Sequence, residues 1–260
     1  LDVGSGGYGS FGRGACRNNR KKDGEVAVNI KKLCFSYGDK KIFQDFDLNI
    51  DAGSVTCIMG GSGAGKTTLL NCISGLLNYS GEIEVQGENS KIAYVFQQSR
   101  LIPSMSVEDN VRLVLPAGAD KNAVQRRIDD IIAKLKLEDC RKSYPRNISG
   151  GQASRAAIAR AAVTDADIFL MDEPFKGLDI KLKKEIIQML IPLLKDKTAI
   201  FVTHDVEEAL AIADRVCILD RSEGQCVNLK GVVDINMSRD GRDVYSEKSN
   251  ELRQKIYSLL

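Results

Sequence analysis

Apolar and polar positions alternate along Val26-Ala27-Val28-Asn29-Ile30 and Asp45-Phe46-Asp47-Leu48-Asn49-Ile50, as they do in half-exposed antiparallel strands. Ser54-Val55-Thr56-Cys57-Ile58-Met59 is more continuously apolar and predicts a central strand. A glycine loop follows, then helical spacing from Thr67 to Leu77, then two strands at Gly81–Val85 and Ile92–Phe96. From about Val107 to Ala162 the pattern is mostly helical, with Ile128, Ile131, Ile132, Leu135 and Leu137 on one face. Beyond it, strand 167–171, helix 180–194, strand 199–203, helix 205–213 and strand 215–219 alternate as in a parallel sheet. The last forty residues predict a small strand pair and a terminal helix. The expected fold class is α/β, with no internal repeat.

Residues 1 to 25 do not fit this pattern. They are Gly-rich and then basic, with no apolar period, which predicts a disordered tail without the apolar core of a signal peptide. Arg13, Arg17, Arg20, Lys21 and Lys22 against Asp2 give this tail +4 of a formal total of +2, so the remainder carries −2. That balance gives no general case for nucleic-acid binding, and no nucleic-acid partner is expected. No run approaches eighteen apolar residues, so any dealings with a membrane are expected to go through a partner. The seven cysteines are odd in number, form no CxxC pair and lie partly in apolar runs. Reduced, buried thiols of a cytosolic protein follow, rather than a zinc site or a disulfide framework.

The chemistry centres on Gly60-Gly61-Ser62-Gly63-Ala64-Gly65-Lys66-Thr67, a GxxxxGK[ST] pattern with a predicted strand before it and a helix after it. Its glycines let backbone N–H groups converge on phosphate oxygens, backed by the positive end of the helix dipole. Lys66 is placed to reach the β and γ phosphates, Thr67 to offer its hydroxyl to Mg²⁺, and Thr68 to complete the phosphate-binding set. A second element, Ile168-Phe169-Leu170-Met171-Asp172-Glu173, ends an apolar strand in two carboxylates. Asp172 suits Mg²⁺, and Glu173 suits a general base that orients and polarises the attacking water. His204, the only histidine, ends the apolar strand Ala199–Thr203, where open α/β sheets place their ligands, and is expected at the γ-phosphate.

Ile148-Ser149-Gly150-Gly151-Gln152, with Arg155 behind it, resembles the LSGGQ signature of ATP-binding-cassette (ABC) proteins. Gln97 resembles the family's Q-loop glutamine, Asp179 its D-loop aspartate, His204 its switch histidine, and Tyr37 the aromatic that stacks on adenine. The resemblance runs from residue 26 to about 222. It implies an ABC cassette of the phosphate-loop NTPase class, with a mixed core sheet, an antiparallel β subdomain and a helical signature subdomain over about 99–163. The cassette would span 26–235, with a C-terminal helical tail over 236–260. It also implies Gln97 as a metal and catalytic contact. In a head-to-tail dimer, Ser149, Gly150, Gly151, Gln152 and Asp179 would complete the partner copy's ATP site. Gln97–Pro103 followed by Val107–Val111 looks like the importers for nitrate, sulfonates and taurine, in which this segment docks a permease. The expected setting is the cytoplasmic face of a membrane, held through permease subunits and served indirectly by an extracytoplasmic solute-binding protein. An exporter or lipid-complex-releasing cassette stays open as an alternative. An ABC ATPase acting on nucleic acid or ribosomes fits less well, because the interval from Gln97 to Ile148 leaves no room for long insertions. Two departures exist: Ile148 stands for the usual leucine, and Lys176-Gly177 for the usual small pair before Leu178-Asp179.

Overall fold

The computed structural model describes residues 25–87, 90–222 and 225–260. The expected disordered tail therefore lies, apart from Glu25, outside the described residues. Strands β1 (Val26–Tyr37), β2 (Lys40–Asp51) and β4 (Ser80–Val85) form an antiparallel sheet in the order β2-β1-β4. A second sheet runs β5-β6-β7-β3-β8-β9, built from β3 (Val55–Gly60), β5 (Ile92–Val95), β6 (Ile168–Asp172), β7 (Thr198–Val202), β8 (Arg215–Asp220) and β9 (Asn228–Asp234). All its pairings are parallel except β8 with β9.

The inner strands of the six-stranded sheet are buried on both faces, and the pleat divides their side chains between two cores. Val55, Cys57 and Met59 join one core with Phe169, Met171, Phe201 and Ile218. The intervening Ile58 joins the other with Leu170, Ile200, Val202 and Leu219. The period of two explains why these strands read as continuous apolar runs: each face needs its own apolar set. The first core is closed by α3 (Lys121–Lys134), α4 (Gly150–Ala162), α5 (Ile180–Leu193) and α6 (Val206–Ile212). The second is closed by α1 (Lys66–Ile73) and the antiparallel sheet. The remaining helices are α2 (Val107–Arg112) and the terminal α7 (Glu247–Leu259).

Three expectations are corrected. The strand pair expected near the carboxyl end is a single strand, β9, which adds antiparallel to β8 at the sheet edge. The helix expected to reach Leu77 stops at Ile73, because Gly75 turns left-handed (φ 72°) and its N–H bonds back to Cys72 O. β1 and β2 are longer than their alternation predicted; Lys32 and Asp45, both at φ 50°, sit at irregularities that break the period.

Among the described residues no helix is long and apolar enough to cross a membrane. The six described cysteines are free, and burial pushes Cys72 up to about 11 and Cys217 up to about 12, which keeps both as thiols.

Candidate functional site

β3, β5, β6 and β7 are parallel neighbours, so their carboxyl ends share one sheet edge. The phosphate loop leaves β3, Gln97 follows β5, Asp172 and Glu173 end β6, and His204 follows β7. Register fixes their neighbourhood: Val95 pairs with Met171, and Asp172 with Val202. Residues scattered over more than a hundred positions thus converge through the order of the strands.

Two glycines are dictated by the loop's path. At Gly60 (φ 144°) a β-carbon would stand 2.1 Å from Leu219 O, and at Gly65 (φ 74°) 2.9 Å from Val227 Cγ2. Gly65 caps α1 without a side-chain bond, so the first-turn amides point into the loop. The loop encloses a cavity of about 540 Å³ lined by Gly60, Ser62, Gly63, Ala64, Gly65, Lys66, Thr67 and Thr68. Tyr37, Glu173, Lys176 and His204 also line it. Gly61 contributes its carbonyl: Lys66 Nζ donates to Gly60 O at 2.8 Å and to Gly61 O at 2.7 Å. Burial lowers the Lys66 pKa from its ordinary value, against the raising influence of Glu173 and Asp172.

Thr67 Oγ1 donates to Asp172 Oδ1 at 3.2 Å. Asp172 is buried (4% exposed), and burial pushes its carboxyl above the usual range. Glu173 has φ 43°, a left-handed backbone rare outside glycine, and is held there by Glu173 N donating to Val202 O at 3.0 Å. Its Oε2 accepts from Gln97 Nε2 at 3.1 Å and pairs with Lys176 Nζ at 2.6 Å, while Oε1 lies 3.5 Å from His204 Nδ1. Burial pushes Glu173 upward, but Lys176 and His204 outweigh it and leave the carboxyl below its ordinary value.

The remaining predicted residues lie elsewhere. Ser149, Gly150, Gly151, Gln152 and Asp179 do not line the phosphate-loop cavity. Ser149 caps α4 in a capping box: its Oγ accepts from Gln152 N at 3.2 Å, and Gln152 Oε1 accepts from Ser149 N at 2.8 Å. A β-carbon on Gly151 would stand 2.2 Å from Leu182 Cδ2, whereas one on Gly150 would meet nothing within 4 Å. Asp179 caps α5, accepting from Leu182 N at 3.0 Å.

Some participants carry no sequence signal. Arg160, on α4, donates to Ser99 O and Arg100 O at 2.8 Å each, tying the segment after Gln97 to the signature helix. Buried Asn110 holds the loop before α2 through bonds to Ile102, Met105 and Ser106. Glu108 on α2, 4% exposed, binds Arg112, Arg141 and Lys142.

A strand, a glycine loop capping a helix, and a carboxylate pair ending a parallel strand of the same sheet, one strand removed, define a phosphate-loop nucleoside triphosphatase. Residues 43–176 match the family described as ABC transporter. The chain is 35% identical to the aliphatic sulfonates import ATP-binding protein SsuB of Bacillus licheniformis, over 77% of its own length and 82% of the relative's. It is 37% identical to the protein of the same name from Corynebacterium glutamicum, over 75% and 80%. A solved dimeric ATP-binding cassette bound to ADP and Pi in a post-hydrolysis state superposes with TM-score 0.65 at 30% identity, covering 74% of this chain and 93% of that one. This chain belongs to the ABC transporter family and is an ATP-binding, ATP-hydrolysing cassette.

Proposed function

We propose that this cassette powers an importer of small anions through a separate membrane permease, with an aliphatic sulfonate as the favoured solute class and nitrate or taurine in the same chemical range. Support comes from relatives named for aliphatic sulfonate import over most of their length. It would sit at the cytoplasmic face of the membrane, held by permease subunits, with an extracytoplasmic solute-binding protein delivering the anion. Nothing in the geometry favours the exporter alternative.

The observation that carries the chemistry is the convergence of Lys66, Thr67, Asp172 and Glu173 on one cavity edge. Backbone amides of Gly60–Gly65 and α1 receive the phosphates, Lys66 leaves its two loop carbonyls for the β and γ phosphates, and Tyr37 stacks on adenine. Thr67 Oγ1 and the buried Asp172, hard oxygen donors 3.2 Å apart, fit Mg²⁺, with Gln97 as a further oxygen donor. Among the described residues no three His, Cys, Asp or Glu side chains cluster as a metal site, so most ligands would come from phosphate and water. When bound, the ion neutralises charge developing on the β and γ phosphate oxygens. Glu173 takes the proton of the attacking water as its oxygen bonds to the γ-phosphorus. The bond to ADP breaks and its electron pair stays on the β-phosphate oxygen, while His204 steadies the γ-phosphate.

Ser149, Gly150, Gly151, Gln152 and Asp179 would serve a second copy's ATP in a head-to-tail dimer. Their separation from the chain's own cavity supports that reading, as does the dimeric cassette it resembles.

Glu173→Gln tests the catalytic assignment. It should leave ATP binding intact and slow turnover by about a hundredfold or more, the usual scale for loss of a general base. In cells relying on the chain, uptake of labelled alkanesulfonate should fall with it. Wild-type turnover in the variant would refute the role of Glu173, and unaffected uptake would refute the solute.

A further inference from the structure

We propose that Lys176 is a positioning residue that fixes the orientation of the Glu173 carboxylate, so that the oxygen it does not bind faces the attacking water. The proposal deepens the reading of Glu173 as the general base and rests on it.

Glu173-Pro174-Phe175-Lys176 is a tight turn: Lys176 N donates to Glu173 O at 3.1 Å, and Phe175, 1% exposed, anchors it in the core. Proline at the second position presets the backbone angle such a turn requires. The turn folds the Lys176 side chain back onto the residue that starts it, and Nζ reaches Glu173 Oε2 at 2.6 Å. Lys176 is therefore tied to Glu173 twice, through main chain and side chain, on a backbone already fixed at φ 43°.

The carboxylate has three neighbours of unequal standing. Lys176 and Gln97 both hold Oε2, whereas Oε1 faces His204 Nδ1 at 3.5 Å, too far for a good hydrogen bond. Oε1 is thus the oxygen left to accept a proton. Gln97 and His204 are also the two neighbours with work at the nucleotide, and each would relax its hold on Glu173 when ATP enters. Lys176 is the one that remains. The terminal torsion of glutamate is broad and soft, so without an anchor the carboxylate plane rotates and neither oxygen is held toward the water. Lys176 stands where the family pattern has a small residue, so this anchor belongs to the chain's own sequence.

The test compares Lys176→Met, Lys176→Gln, Lys176→Arg and Glu173→Gln in the full chain, by steady-state ATPase kinetics and fluorescence titration of ATP. Lys176 is half-exposed, so the fold should survive each change. Lys176→Met and Lys176→Gln should lower kcat about tenfold through misaim of the base, with KM for ATP within about twofold. Lys176→Arg should recover at least about half of the wild-type kcat, because a cation again reaches Oε2. A kcat at or above wild type without the ammonium would overturn the proposal. So would a raised KM at unchanged kcat, which would place Lys176 on the nucleotide, or an arginine variant as slow as the methionine one. Wild-type turnover in Glu173→Gln would remove the base assignment and this inference together. A slow Glu173→Gln beside a normal Lys176→Met would remove the inference alone.

Discussion

Gly150 and Gly151 are adjacent, both in the first turn of α4, yet the chain constrains only one of them. An added methyl on Gly150 meets nothing within 4 Å, and alanine favours a helix, so Gly150→Ala should leave stability unchanged or raise it by up to about 1 kcal/mol. On Gly151 the methyl would stand 2.2 Å from Leu182 Cδ2, an overlap that costs about 1–3 kcal/mol unless Leu182 moves. If the signature serves a second copy's ATP, Gly150→Ala should still slow turnover by about tenfold or more, since the amide next to the new methyl must approach a phosphate closely. Urea unfolding gives the stability, and gel filtration with ATP in the Glu173→Gln background gives the dimer fraction. Gly151→Ala with Leu182→Ala supplies the control: it should regain the stability lost to overlap without regaining turnover. A stable Gly150→Ala chain that hydrolyses ATP and dimerises normally would refute the shared site. A Gly150→Ala chain destabilised by more than about 1 kcal/mol would refute the open space around this residue.

Other outcomes are expected. Lys66→Ala should weaken both ATP affinity and turnover, because the ammonium meets phosphate before and during reaction; an unchanged dissociation constant by fluorescence titration would limit Lys66 to the chemical step. Glu108→Gln should destabilise the chain at neutral pH by about 2 kcal/mol by leaving Arg141 and its neighbours without a charged partner, as read by urea unfolding. Arg141 holds the Glu108 carboxyl far below its ordinary value, so this stabilisation is complete above about pH 5 and fades as acid protonates Glu108. The difference between wild type and Glu108→Gln should therefore shrink as pH falls from 5 toward 2; a constant difference would refute the ion-pair account.

The central sheet was legible because each of its inner strands must satisfy two cores, leaving no polar interruption in stretches such as Phe169–Met171 or Ala199–Val202. β9 was not placed, because of its seven residues only Val233 is buried and nothing local shows that it pairs with β8. The bulges at Lys32 and Asp45 hid half of β1 and β2, since one displaced residue inverts the alternation that marks a strand. The phosphate loop could be read from its own residues, because its glycines, Lys66 and Thr67 fall within eight consecutive positions, although the atoms that exclude a β-carbon at Gly60 and Gly65 belong to the distant Leu219 and Val227. Gln97 could not: its bond to Glu173 spans 76 positions, and only likeness to other cassettes singled it out. Lys176 stands out in the sequence as a departure from pattern, while its ion pair with Glu173 depends on the turn closed by Lys176 N on Glu173 O, which no apolar period marks.

Arg160 grips the carbonyls of Ser99 and Arg100 from the far end of the helix that begins at Gly150. At 1.5 Å per residue the intervening rod is about 15 Å long. A tilt of about ten degrees pivoting at Arg160 would swing the Gly150 end through about 3 Å, roughly the length of a hydrogen bond. The grip would thus make the helix a crank: a small turn where Gln97 leaves the sheet would emerge as ångströms of travel at Gly150, the end that meets a second copy if the signature is shared.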